Sequence, residues 1–133
     1  MIDTSALLAI FLREPEAERF ALAIEADVEP LLSAANLLEA AIVMRAKRQP
    51  TLAEAEPWLD ALLERAGVAV EPVTLDQIRI ARLAHARYGK GSGHPAHLNF
   101  GDCFAYALAC ARGAPLLFKG DDFTHTDVQR AEP

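Results

Sequence analysis

The chain has 133 residues, 52% of them hydrophobic, with 13 Lys and Arg against 19 Asp and Glu for a formal net charge of −6. A chain this long buries about two thirds of its unfolded surface, so one domain with a packed core is expected over residues 1–133, without disulfides or a structural metal. The acidic balance argues against a non-specific nucleic-acid coat protein. It leaves room for a nuclease, because acids gathered at a metal site count toward the total while basic residues elsewhere touch phosphate. No apolar run reaches about 18 residues, and Met1-Ile2-Asp3 lacks the basic, hydrophobic character of a signal segment, so the expectation is a soluble, cytoplasmic protein with no membrane association.

Short apolar runs alternate along the chain with stretches of helical period. Residues 1–4 read as a very short strand, after which Thr4 or Ser5 can cap a helix over Ala6–Leu12, and Pro15 opens another over Glu16–Ala26. Pro30–Ser33 reads as a strand. The strongly apolar helix Ala34–Arg48 follows, ending in Arg45, Lys47 and Arg48, the charges that a helix C-terminus favours. Thr51-Leu-Ala-Glu54 has a capping-box pattern, and Gly67 suits the end of the helix it starts. Val68–Glu71 is a strand, and Thr74 caps a helix to Tyr88. Gly89–Leu98 is plainly loop-like. Asn99 precedes a helix over Phe100–Arg112, Pro115–Phe118 is a strand, Gly120-Asp121-Asp122 is a turn, and Val128–Ala131 is an edge strand. Strands alternating with helices imply an α/β fold with a mainly parallel sheet covered on both faces, whose ligand crevice lies at the carboxyl ends of the strands.

Four places carry acids where a bland domain would not want them. Asp3 ends the first strand, Glu39 sits within one of the most apolar helices, Asp102 sits near the start of another, and Asp121 and Asp122 follow the strand Leu116-Leu117-Phe118. Ionised carboxylates are almost never fully buried unless paired or coordinating a metal. No Lys or Arg lies one helical turn from Glu39 or Asp102 to pair with either. Two carboxylates about 4 Å apart repel by about 4 kcal/mol at an effective dielectric of about 20. A divalent cation relieves that repulsion, and all-oxygen ligands select a hard ion, Mg²⁺ or Mn²⁺. Each acid alone has a simpler explanation: Asp3 and Asp102 suit helix starts, Asp122 suits a turn, and Glu39 suits a partly solvated helix flank.

The ordered set Ile2-Asp3-Thr4-Ser5-Ala6-Leu7, Leu38-Glu39-Ala40 after Ser33, Asn99-Phe100-Gly101-Asp102, and Lys119-Gly120-Asp121-Asp122-Phe123 with Thr126-Asp127 resembles the PIN-domain toxins of VapC type. The resemblance covers essentially the whole chain. It implies a PIN-like three-layer α/β/α fold, an Mg²⁺- or Mn²⁺-dependent endoribonuclease that hydrolyses RNA phosphodiester bonds, a VapB-like antitoxin as partner, and a homodimer. It places metal-binding and catalytic roles on Asp3, Glu39 and Asp102, and a fourth on Asp121 or Asp122, with Asp121 favoured. Many members of that family carry a threonine in the strand leading to the fourth acid, where this chain has Phe118-Lys119.

Ser5 is a candidate for an oxygen ligand or a phosphate contact, with simple helix capping as its plainer role. Arg45, Lys47, Arg48, Arg79, Arg82, Arg87, Lys90 and Lys119 are candidates for RNA backbone contact, Lys119 first among them because it adjoins the acids. Apolar helices over Phe20–Ala26 and Trp58–Leu63 offer surfaces for an antitoxin or a second copy, or simply core. Cys103 and Cys110 read as buried core thiols, His94 and His97 lack the further ligands of a zinc set, and His85 and His125 read as surface residues. Two other function classes stand beside the nuclease: a receiver-like phosphoacceptor, which lacks the expected paired acids after the first strand, and a catalytically silent antitoxin-binding module.

Overall fold

The structure is a computed structural model and describes residues 1–48 and 52–132. Its elements in chain order are α1 (Thr4–Phe11), α2 (Ala17–Ala26), β1 (Leu31–Ser33), α3 (Ala34–Arg48), α4 (Leu52–Arg65), β2 (Ala69–Glu71), α5 (Leu75–Tyr88), α6 (Phe100–Arg112) and a 3₁₀ turn (Asp122–His125). Thr51, the proposed start of the capping box before α4, lies outside the described residues.

The sheet is parallel throughout and very narrow. β1 pairs with β2 in the register Leu31–Ala69, Leu32–Val70 and Ser33–Glu71. Beyond β1 it continues as single parallel bridges, Ile2 with Leu32, Ile2 with Leu117, and Leu116 with Arg130. These bridges are real ladder steps: Ile2 N–H donates to Leu31 O at 2.9 Å, Leu117 N–H to Met1 O at 2.8 Å, and Ala131 N–H to Leu116 O at 2.8 Å. The spatial order is therefore β2, β1, residue 2, residues 116–117 and residue 130. The strands expected over residues 1–4, 115–118 and 128–131 shrink to these contacts. At the N-terminus the cause is local: Asp3 caps α1, so the helix starts at Thr4 and leaves Ile2 as the bridging residue. Thr4 and Ser5, expected as the cap, are instead inside the first turn.

Side chains alternate across this sheet, as period-2 geometry demands. Met1, Leu31, Leu116 and Phe118 face one core shared with α5 and α6, while Ile2, Leu32 and Leu117 face a second shared with α1, α2, α3 and α4. Two cores on opposite faces of one sheet make the three-layer α/β/α architecture. The apolar helix surfaces over Phe20–Ala26 and Trp58–Leu63 belong largely to this packing, since Phe20, Ile24, Leu59 and Leu63 are buried. Cys103 is buried as expected, but Cys110 is exposed: α6 packs its inner face on the sheet and turns Cys110 outward at its last turn.

Leu32 is fully buried at the centre of the β1 register and against the α1–α4 core. Leu32→Ala is expected to lower unfolding free energy by about 2–5 kcal/mol, read from urea denaturation at constant m-value; a loss well under 1 kcal/mol would show that this face is not packed as described.

Candidate active site

At the carboxyl edge residue 2 leads through Asp3 into α1 and β1 leads into α3, which carries Glu39 in its second turn, while Asp102 sits in the first turn of α6, after the segment 89–99. Asp3 follows Ile2 and has extended backbone (φ −89°, ψ 154°), which lets its side chain cap α1. Its Oδ2 accepts the Ser5 N–H at 2.9 Å and the Ser5 hydroxyl at 2.5 Å. Its Oδ1 is buried with no partner among the described residues. Ser5 Oγ in turn accepts the Lys119 backbone N–H at 2.9 Å. Ser5 thus both caps and ties the first acid to the segment leading to the last ones.

Asp102 is held at the start of α6 by a reciprocal capping box. Asn99 Oδ1 accepts the Asp102 N–H at 2.9 Å, and Asp102 Oδ2 accepts the Asn99 N–H at 2.8 Å. Glu39, half-buried on α3, has its Oε2 bound by the Thr4 hydroxyl at 2.6 Å and by the Asn36 side-chain amide at 3.0 Å. Its carboxylate lies against Gly101 so closely that a Cβ there would collide with it. α1, α3 and α6 therefore bring Asp3, Glu39 and Asp102 into one neighbourhood.

The electrostatics report the same convergence. Burial pushes the Asp3 carboxyl up to about 6, against the opposing pull of the Ser5 hydrogen bonds and with added upward pressure from the charge of Glu39. Burial likewise pushes Asp102 up to about 7, opposed by the Asn99 N–H and reinforced by the charges of Asp3, Asp122 and Glu39. Asp122 adds its charge to the pressure on Asp102. Asp121 and Asp122 are both exposed, at the entry of the 3₁₀ turn, where the Asp121 backbone carbonyl accepts from Thr124.

The donors around this site are carboxylate and hydroxyl oxygens. Cys103 is nearby, but burial raises its thiol to about 11, and its Sγ points to the Asn99 carbonyl at 3.2 Å. Among the described residues no three His, Cys, Asp or Glu side chains stand close enough to hold a metal by themselves. The buried, unpartnered Asp3 Oδ1 and the carboxylate of Asp102 are oxygen donors of the kind a hard cation takes.

Other candidates disperse. The Lys119 ammonium is turned away from the acids to Glu14 at 2.7 Å and Glu16 at 3.3 Å. Arg45 pairs with Glu56 and Arg79 with Asp76, and Arg87 lies 4.0 Å from Asp127. Arg82, Lys47 and Lys90 are exposed, and nothing is described for the Arg48 side chain. His94 accepts the Ala96 N–H and meets Tyr88 edge-on, His97 is exposed, and His85 and His125 are exposed as expected. Reasoning from sequence missed Thr4, Asn36 and Gly101 around Glu39, and Phe100, which is 79% exposed next to Asp102. The one available signal was Asn36, a polar residue one turn before Glu39 in an otherwise apolar run.

The family model described as PIN domain matches residues 1–129. The chain belongs to the PIN-domain family. It is similar to Ribonuclease VapC28 of Mycobacterium tuberculosis, 54% identical over 132 residues covering 98% of this chain and 96% of that protein. Ribonuclease VapC30 of the same species is 50% identical over 129 residues, covering 96% and 95%. Among solved structures, Mycobacterium tuberculosis VapC20, described as a sarcin-ricin loop cleaving toxin, superposes with a TM-score of 0.77 over 99% of this chain and 98% of its own, at 18% identity. That likeness shows the fold. The family assignment sets aside the receiver-like alternative.

Both raised acids bind protons more tightly folded than unfolded, so between their ordinary 3.8 and about 6 to 7 the folded chain carries protons that the unfolded chain lacks. Stability without metal therefore falls as pH rises through that window. The metal-free protein is expected to melt at a higher temperature at about pH 5 than at about pH 8, and Asp102→Asn should flatten that difference. A wild-type difference no larger than that of Asp102→Asn in calorimetry would refute the electrostatic reading.

Proposed function

We propose that this chain is a VapC-type endoribonuclease, the toxin of a VapBC pair, which hydrolyses RNA phosphodiester bonds with Mg²⁺ or Mn²⁺. The observation that carries this reading is that Thr4, next to Asp3, and Gly101, next to Asp102, both close on the Glu39 carboxylate, with a buried, unpartnered oxygen left on Asp3, in a chain that matches the PIN domain over residues 1–129. A divalent ion held there would supply an activated water and charge stabilisation for the phosphate.

In this reading Asp3 and Asp102 would hold the ion, the Ser5 hydroxyl engaging Oδ2 of Asp3 and leaving Oδ1 free. Glu39, half-buried and held through Oε2, would orient the attacking water and accept its proton. Asp122, in preference to Asp121, closes the acidic side of the site. RNA approaches over exposed Phe100, with Arg82 in the hollow between α5 and α6 that Phe100 also lines. Phosphate contact by Lys119 requires its ammonium to leave Glu14 and Glu16. Exposed Leu38, Ile42 and Phe100, around Glu39, supply apolar surface for a protein partner, a VapB-like antitoxin or the second copy of a homodimer. No helix among the described residues is long and apolar enough to cross a membrane, and a cytoplasmic location is part of the proposal, as is a single domain over the whole chain.

The test is cleavage of defined RNAs with Mn²⁺, with Mg²⁺ and with EDTA, comparing wild type, Asp3→Asn and Asp102→Asn. Cleavage should depend on metal and fall to background in both folded variants. Wild-type activity retained in both variants would reject these residues. Calorimetric titration separates a catalytically silent binding module. Wild type should bind Mn²⁺, and at about 100 times Kd the ion should stabilise it by about 2.7 kcal/mol, on the order of 10 °C in Tm for a chain of this size.

A further inference from the structure

Asn36 lies on α3, one turn before Glu39, and is completely buried (0% exposed). Its side-chain amide nitrogen has two protons and three acceptors in reach: Glu39 Oε2 at 3.0 Å, the Gly101 carbonyl at 3.0 Å and Thr4 Oγ1 at 3.3 Å. Only nitrogen can face this group, because the reversed amide would set its oxygen against a carboxylate and a carbonyl. The same side chain therefore joins α1 just after Asp3, α3 at Glu39 and α6 just before Asp102.

Its Oδ1 is buried with no partner among the described residues, and such an orphan costs about 1–3 kcal/mol. The amide protons offset this by satisfying the Gly101 carbonyl and the Glu39 carboxylate. The amide thereby supplies a fixed place for a carboxylate. Glu39 Oε2 is gripped by Asn36 and by the Thr4 hydroxyl, while Gly101 leaves room for the carboxylate to lie flat against α6.

We propose that Asn36 is a positioning residue for phosphodiester hydrolysis: it locks the Glu39 carboxylate against Gly101 and so sets Glu39 relative to Asp3 and Asp102. The inference rests on the ribonuclease reading, but its geometry can be tested apart from activity. In ¹⁵N spectra the Asn36 side-chain amide protons should exchange slowly with solvent and shift on Glu39→Gln. Rapid exchange with no response to Glu39→Gln overturns the lock whether or not RNA is cleaved. Wild-type protein that fails to cleave RNA overturns the ribonuclease reading instead, and the amide signal still decides the lock.

Kinetically, Asn36→Leu should fold, keep its KM for RNA, and lose about 10- to 100-fold in kcat. Thr4→Val, which removes the second donor to Glu39, should show the same split more weakly, and serves if Asn36→Leu does not fold. Under single-turnover conditions with excess enzyme, Asn36→Leu should cost nothing further in a Glu39→Gln background, because both changes act through one carboxylate. Losses that multiply in the double variant, or a folded Asn36→Leu with wild-type kcat, overturn the proposal.

Discussion

Taking a carboxylate out of water removes the solvation of its charge, and placing a second one beside it adds repulsion. Asp3 and Asp102 carry both penalties, being 3% and 8% exposed and each feeling the charge of the other acids. Much of the local architecture answers this conflict. Ser5, Asn99 and the first turns of α1 and α6 supply N–H and hydroxyl donors that pull the two carboxyls back toward ionisation. They offset only part of the cost, and both groups still end well above the ordinary carboxylate range.

The parallel sheet makes such an arrangement possible. Its rungs point the same way, so every chain leaving its carboxyl edge must turn into a helix or turn there, and helix starts present unpaired N–H groups to anions. Residue 2 leads into α1 and β1 into α3 at that edge, and α6, packed against α3 and β1, brings its own start alongside them. Thr4, Asn36 and Gly101 then occupy the gap between those three helices. Hydroxyl, amide and the absence of a Cβ are each suited to what they touch, the carboxylate of Glu39.

How much of this could be read beforehand followed from the range of the forces involved. α3 and α6 were legible to the residue, because an unbroken apolar period and the Asn99 cap are local signals. The outer strands were not, since Ile2, Leu116, Leu117 and Arg130 pair through single bridges whose existence depends on distant chain. Asp3, Glu39 and Asp102 stood out because acids in apolar surroundings break a local rule. Between Asp121 and Asp122 the sequence offers no local signal, since they are adjacent and both exposed at the start of one 3₁₀ turn. The fate of Lys119 was equally hidden: Glu14 and Glu16 are remote in sequence and meet it only in the fold.

Helix capping accounts for where Asp3 sits but not for its being an aspartate, whereas Asp102 is the third-position partner of the Asn99 cap. Asparagine and serine cap about as well as aspartate, and neither would carry a charge into the buried site at residue 3. A neutral cap there would remove the repulsion that Asp102 feels from Asp3. Departures from local consistency of this kind are expected where a structure gives up stability for function. The divalent ion of the proposed function would meet that charge, and a hard, strongly hydrated ion such as Mg²⁺ asks for only one or two carboxylates.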